Sequence, residues 1–454
     1  MNKDIEKYTE AIRQNPNDDA AYNNLGNAFY AAGQHDKALE QYQQALKIKP
    51  EWIYFSNVGD AYVRLDDLDK AIENYETALR INTKNDDLVN NSLGNAYALK
   101  KNYDKAIENY KSAISMNPSH IYYTNIGDVY RLKGELDKAI DYYEQAIDIS
   151  PEYGSAQNAI GVVYYMKGEY DKAIEHYKKA VQDNPDSFIY NANIADAYSA
   201  KREWDEAIKY YMNAVRINPD DVLANNGLGV AYYSTAKYEE AINCYQKTIQ
   251  LEPNNFLYYA NIGDAYGKLK DWDKALEYYR KAIELNPKDD LTYNSLGNAY
   301  FGQGLYSKAI DQYKTALSIR EYPIYYSNIG DAYRRLKKWE SALEYYNKAA
   351  EKAPEDIIFR TNLFNIHNDI GVEHYQNGDD DKAVLEYEKA IQYGTSEKNG
   401  AATVHHNLYL AYNAKGEDSK AEGYLAKAIA LSEDEENLRM FKAELEELKK
   451  GTGQ

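Results

Sequence analysis

The chain is 454 residues long with 44% hydrophobic residues, enough to bury a substantial core, and its 10 prolines and 25 glycines are too few for long flexible linkers. A formal net charge of -19 argues against a nucleic-acid partner, which would be held mainly by Lys and Arg neutralising phosphates. One cysteine, Cys244, excludes an internal disulfide framework and fits a reducing compartment; no apolar run reaches signal-peptide or membrane-span length, so a soluble, cytoplasmic chain with no membrane partner is expected.

In chain order, residues 7–16 (KYTEAIRQNP) look like the second half of a repeat unit and predict a cap over residues 1–18. From residue 19 a pattern recurs about every 34 residues, the signature of a solenoid. Its glycine slot falls at Gly26, Gly59, Gly94, Gly127, Gly161, Ala195, Gly229, Gly263, Gly297, Gly330 and Gly371, and the last unit has Tyr409 there. An aromatic follows three residues later (Phe29, Tyr62, Tyr97 and onward), and Ala twelve later (Ala38, Ala71, Ala106 to Ala421). Sixteen later stands Tyr, from Tyr42 to Tyr387, with Leu425 in the last unit. Ala nineteen later has Thr248 as its exception, and Pro often stands twenty-four later (Pro50, Pro118, Pro151). Each unit therefore predicts two helices that approach closely at small residues, with proline ending the second. Stretches such as NPNDDAAY and NPKDDLTY supply Asn or Asp as N-caps. Residues 19–354 form ten regular units. Residues 355–430 form two divergent ones, with a spacing of 41 before Gly371 that predicts a long first helix and a GTSEKNG loop at residues 394–400. Residues 431–454 predict a charged capping helix and tail.

A bulky residue, Leu-Gly, an aromatic, Ala, an aromatic, Ala and Pro in a unit of about 34 residues resemble the tetratricopeptide repeat. The resemblance implies an all-α, right-handed superhelical solenoid of about twelve helix-turn-helix repeats with terminal capping helices, its first helices lining a concave groove.

Packing gives no reason for a polar stripe on those first helices. At about 100 degrees per residue, the residue two before the glycine slot and the one after it share a face turned away from the unit's own core. Even units carry Asn57 and Asp60, Asn125 and Asp128, Asn193 and Asp196, Asn261 and Asp264, and Asn328 and Asp331 there. Odd units carry Asn27, Asn95 and Asn298 one after the slot, with Val162 and Val230 breaking the row, and Asn23, Asn91, Asn158, Asn226 and Asn294 three before it. The true period is a pair of repeats. In peptide-binding relatives, the resemblance implies, such amides grip the main chain of an extended peptide. An amide both donates and accepts, so a ladder of them reads backbone rather than sequence. The family's clamp for a terminal carboxylate would need basic residues where Leu88 and Ser92 stand, so that clamp is absent. Asp at alternate rungs suggests a basic ligand. The competing reading makes these residues ordinary surface pairs, such as Asp60 with Arg64, Asp128 with Arg131, Asp264 with Lys268, and Asp331 with Arg334 or Arg335, or ties between neighbouring helices. Asp196, followed by Ser199 and Ala200, has no such partner. Most of the 49 tyrosines fall at repeated packing places; Tyr30, Tyr165, Tyr233 and Phe301, four after the slot in odd units, are the best aromatic candidates for ligand contact.

No metal spacing appears among the histidines: His405 and His406 point to different faces, His405 into a core slot, and His367 with His374 lacks the H-E-x-x-H frame. Gly302 and Gly304 sit at a helix-helix turn and do not follow a strand, so no phosphate loop is expected. Cys244 has no nearby His in sequence and predicts an inert thiol. No catalytic residue, metal or cofactor is expected. The expected function is a non-catalytic scaffold that binds an extended or basic polypeptide in an acidic, Asn-lined groove, with the divergent terminal repeats available for a different partner or self-association. The alternatives are a regulatory or targeting region of a larger enzyme or assembly, and a self-assembling structural scaffold.

Overall fold

The computed structural model describes residues 2–82 and 86–451, and among these it contains 26 α-helices and no strand. The chain divides into two compact units, Met1–Ala231 and Tyr232–Gln454. The first unit opens with α1 (Asn2–Gln14). Helix pairs follow: α2 and α3 (Asp19–Ala31, His35–Ile48), α4 and α5 (Trp52–Arg64, Leu68–Ile81), α6 and α7 (Asp87–Leu99, Tyr103–Met116), α8 and α9 (His120–Leu132, Leu136–Ile149), α10 and α11 (Gly154–Met166, Tyr170–Asp183), and α12 and α13 (Phe188–Ala200, Trp204–Ile217). The division falls within α14 (Val222–Ser234). The second unit continues with α15 (Tyr238–Leu251), then α16 and α17 (Phe256–Lys268, Trp272–Leu285), α18 and α19 (Asp290–Gly302, Tyr306–Ile319), α20 and α21 (Pro323–Arg335, Trp339–Lys352), α22 and α23 (Ile357–Gln376, Asp380–Tyr393), α24 and α25 (Lys398–Ala414, Asp418–Leu431), and α26 (Glu435–Gly451).

First helices of the regular pairs have 13 residues and second helices 14. Helix α22 extends to 20 residues, and α24, at 17, begins at Lys398, inside the stretch read as a loop from sequence. Aspartates cap the starts as their position suggests: Asp18 accepts from the Ala21 N–H at 2.9 Å and Asp289 from the Thr292 N–H at 2.8 Å. Within each unit the two helices of a pair pack on one another, and the second packs on the first helix of the next pair, as α5 does on α6 and α19 on α20. Several first helices also touch the next first helix along, as α4, α6, α8, α10 and α12 do in succession and α20, α22 and α24 do likewise. Within each unit the first helices in contact form a layer backed by their second helices.

The glycine slot admits the ring of the tyrosine sixteen residues on. A Cβ at nine of these glycines would stand 2.4 to 2.7 Å from that ring, as at Gly127 against Tyr143, which no side chain tolerates without movement. The alanines twelve and nineteen after the slot are fully buried, as is Thr248. Ala195 breaks the rule, and the structure shows how. The Tyr211 ring of that repeat lies against Gly227 of α14, where a Cβ would stand 2.5 Å from Tyr211 Cζ. The methyl lost at one side of the ring is carried at the other.

Seven residues after each slot the backbone enters the left-handed region, at Gly33, Gly134, Gly168, Gly304, Gly378 and Gly416, and equally at Asp66, Lys101, Arg202, Ala236, Lys270 and Lys337. This residue turns the chain from first helix to second, and the following N–H closes on a carbonyl of the last turn, as Gln34 N–H does on Phe29 O at 2.9 Å. At the other end of the array, Phe441 of α26 is buried in the core of the last repeats.

Two substitutions test this packing. Gly227→Ala should cost about 1 kcal/mol net, overpacking against Tyr211 outweighing the gain in helix propensity. Combining it with Ala195→Gly should recover most of the loss, seen as favourable coupling in a denaturation double-mutant cycle. Ala236→Gly should stabilise by about 0.5 to 1 kcal/mol by removing a left-handed Cβ, measured by chemical denaturation.

Candidate functional site: a tyrosine-braced polar face on the first helices

The residue one after the glycine slot is held by its own repeat. The tyrosine that fills the slot runs through the pair of helices and its hydroxyl donates to that side chain. Tyr42 donates to Asn27 Oδ1 at 2.8 Å, Tyr75 to Asp60 Oδ1 at 2.6 Å, Tyr110 to Asn95 Oδ1 at 2.7 Å and Tyr143 to Asp128 Oδ1 at 2.8 Å. Tyr211 donates to Asp196 Oδ1 in a short bond. In the second unit Tyr279 donates to Asp264 at 2.7 Å, Tyr313 to Asn298 at 2.8 Å and Tyr346 to Asp331 at 2.6 Å. Burial first, and for Tyr75 the Asp60 charge next, hold the phenol far above its ordinary range, so it stays a donor. The stripe, read from sequence as turned away from the unit's core, is therefore anchored through it. Asn27, Asn95, Asn298 and Asp196 are solvent-exposed, and Asp60, Asp128, Asp264 and Asp331 half-buried. The amide Nδ2 of Asn27, Asn95 and Asn298 has no hydrogen-bond partner among the described residues.

The asparagines two before the slot do something different. Asn57 Nδ2 donates to Asn23 Oδ1 at 2.7 Å, Asn125 to Asn91 at 2.8 Å, Asn193 to Asn158 at 2.8 Å and Asn328 to Asn294 at 2.8 Å. Asn125 Nδ2 also lies 3.5 Å from Asn95 Oδ1, bringing two stripe residues of adjacent repeats together. Asn261, half-buried, occupies the same place on α16. A second tie joins the same repeats: Tyr54, Tyr122 and Tyr325 donate to Asp19, Asp87 and Asp290 at 2.7, 2.7 and 2.5 Å. The two-repeat period follows, because Asp and Asn on an odd first helix accept what Tyr and Asn on the next even one donate. The Nδ2 donors of Asn57, Asn125, Asn193 and Asn328 thus join neighbouring first helices.

Cations attend four of the five aspartates. Arg131 lies 3.1 Å from Asp128. Arg64 acts on Asp60, Lys268 on Asp264, and Arg334 and Arg335 on Asp331 through their charge; Arg334 makes its close bond to Asp369, at 2.6 Å. Desolvation nonetheless dominates at Asp60, Asp264 and Asp331 and raises each carboxyl above its ordinary range despite the tyrosine bond and the cations. In the second unit Asp264 and Asn298 meet across a cavity of about 310 Å³ lined also by Tyr233, Lys268 and Trp272.

Of the aromatic candidates, two are covered from within. Tyr30 Oη accepts from Arg64 Nε at 3.1 Å and Arg335 sits 5.9 Å over the Phe301 ring. Tyr165 remains 37% exposed. A row that the sequence reading missed lies seven residues before the Asn or Asp rung: Ile53, Leu88, Ile121, Ile189, Leu257, Leu291 and Ile324 are all exposed, as is Leu223 before Val230, by 78%. Seven residues are two helical turns, and this signal was available in the sequence.

The remaining polar residues serve structure. His367 Nδ1 lies 2.6 Å from Glu386 and its ring stacks on Tyr393; His406 meets Glu444 at 2.7 Å. His405 is half-buried and stacks on Tyr424. Burial pushes the half-buried Cys244 thiol up to about 11, away from thiolate chemistry. No group of three or more metal-ligating side chains occurs among the described residues, and no described helix is long and apolar enough to cross a membrane.

Family models for the tetratricopeptide repeat match residues 20–51, 53–119, 87–152, 119–183, 255–321 and 323–394, and a TPR repeat model matches 195–236 and 231–270. The chain belongs to the tetratricopeptide repeat family, an all-α repeat solenoid class whose members are protein-interaction scaffolds, generally non-catalytic. Among solved structures, MamA is similar at 31% identity over 37% of this chain and 92% of its own, with a TM-score of 0.36. YrrB, described as a TPR protein with an unusual peptide-binding site, is similar at 24% identity over 41% and 96%, with a TM-score of 0.35. A chain of the APC/C hetero-tetramer Cut9-Hcn1 aligns at 15% identity over 98% of this chain and 92% of its own, with a TM-score of 0.40. No curated protein matches the sequence significantly.

The raised carboxyls predict a pH dependence. A carboxyl whose folded pKa exceeds its unfolded value binds its proton more tightly when folded, so its cost to stability grows as pH rises from the unfolded pKa to the folded one and is complete above. Replacing Asp60, Asp264 and Asp331 together by Asn keeps an acceptor for each tyrosine and removes that cost. The triple variant should be more stable than wild type at neutral pH, with the difference shrinking as pH falls through the raised folded values, measured by denaturation at several pH values.

Proposed function

We propose that the first-helix face is a groove for an extended polypeptide segment carrying basic side chains. The observation that carries this reading is the tyrosine brace: each hydroxyl fixes one oxygen of the rung, leaving the Nδ2 of Asn27, Asn95 and Asn298, or a second carboxylate oxygen, directed at solvent in a set orientation. Pre-oriented amides cost little further entropy when a peptide carbonyl docks. Each such bond nets about 0.5 to 1.5 kcal/mol, so affinity comes from several rungs. Asp at alternate rungs favours a cationic ligand, since Asn satisfies the tyrosine equally well in the odd repeats without a desolvated charge. The exposed Ile and Leu row gives apolar side chains of the same segment a place to lie.

The chain itself supplies the mildest substitution, because Val162 and Val230 occupy the Asn position in two repeats. Asn27→Val with Asn95→Val should preserve folding and lower affinity for peptides selected from a basic peptide array by about tenfold or more, two bonds' worth. Unchanged affinity in fluorescence anisotropy would remove the groove.

A further inference from the structure

Two repeats show what this face does with a guanidinium. Five residues after the slot of an even repeat, Arg64 and Arg335 reach back over the aromatic ring of the preceding odd repeat: Arg64 lies 6.0 Å over Tyr30 and bonds its hydroxyl, and Arg335 lies 5.9 Å over Phe301. Each ring is braced at its edge by the first residue or so of the following helix, Tyr30 by His35 at 5.0 Å and Phe301 by Tyr306 at 5.2 Å. Each guanidinium also acts on the aspartate one turn back on its own helix, Asp60 or Asp331. Ring, edge brace and carboxylate together make a seat for one cation.

The same seat recurs around Tyr165 without a side chain of this protein to fill it. Tyr165 is braced by Tyr170 at 5.4 Å, and the aspartate, Asp196, is held by Tyr211. The position equivalent to Arg64 and Arg335 is Ala200, the last residue of α12. Tyr165 and Asp196 are both exposed, and they interact electrostatically across the two repeats. Asp221 also acts on Asp196, a second carboxylate adding to the field, and among the described residues no cation pairs with Asp196. Val162, one turn before Tyr165, offers an apolar surface where Asn27, Asn95 and Asn298 stand in three other odd repeats.

We propose that Tyr165, Tyr170 and Asp196 form a receptor for a single arginine side chain of the bound polypeptide, which takes the place that Arg64 and Arg335 take in their own repeats. This rests on the groove reading and names the residue at one register of it. The guanidinium stacks on the Tyr165 ring and turns its N–H groups to the free oxygen of Asp196, while its methylene stem lies along Val162.

The test uses the full chain and two blocked 21-residue peptides, a Gly-Ser chain with one central arginine, long enough to reach Asn95 from the seat, and its twin with citrulline, which keeps the shape and loses the charge. Calorimetric titration at low salt should show the arginine peptide binding about tenfold more tightly to wild type. A200R installs the side chain found in the sister repeats and should bring the arginine peptide down to the citrulline level; Tyr165→Ala should do the same by removing the ring. Asn95→Val should weaken both peptides together, reporting the groove independently of the seat. Equal binding of the two peptides to wild type, or a preference that survives A200R, overturns the arginine seat while a loss with Asn95→Val keeps the groove. Failure of both peptides to bind at millimolar concentration overturns both.

Discussion

The structure depends on one side chain doing two jobs. A tyrosine on most second helices pushes its ring into the space a glycine leaves on the first helix, and in eight repeats its hydroxyl bonds the polar residue one position further on. The ring sets how closely the two helices approach, and the hydroxyl sets which way the polar side chain faces. Core and surface are thereby coupled through a single residue type. This explains the abundance of tyrosine over phenylalanine better than ring burial alone, since phenylalanine would fill the glycine space and leave the stripe unheld.

The architecture was legible because repetition multiplies weak signals. Gly, Ala and Tyr at fixed offsets in a dozen units leave little freedom about which faces meet, and the left-handed turn residue falls at the same offset whether it is Gly33 or Lys101. The alternation of odd and even repeats was visible too, but its cause was not. It comes from bonds 34 or 35 residues apart, Asn57 to Asn23 and Tyr54 to Asp19, that link one first helix to the next. A helical-wheel argument follows the faces of one helix and does not see a partner on another. For the same reason the stripe was placed on the unbonded face, although the spacing of 15 residues between Asp60 and Tyr75 recurs in repeat after repeat.

The stripe separates into parts with different work. The asparagines two before the slot join repeats, so they are poor places to probe binding: removing Asn125 would loosen a joint before it touched a ligand. The residues one after the slot are oriented but only half used, which is the condition for recognising another chain. Where the protein supplies its own arginine, as at Tyr30 and Phe301, the face is closed; where Ala200 stands, it is open. A solenoid can in this way vary its specificity rung by rung without altering its core.

On the proposed reading, braced rungs on the first helices hold a peptide main chain. A crystal structure of the chain with a basic peptide selected for binding tests it most directly. The expected result is an extended peptide whose carbonyls accept from the Nδ2 of Asn27, Asn95 or Asn298, with those side chains still bonded to Tyr42, Tyr110 and Tyr313. A peptide bound along the second helices, or one that draws the rungs away from their tyrosines, would contradict it.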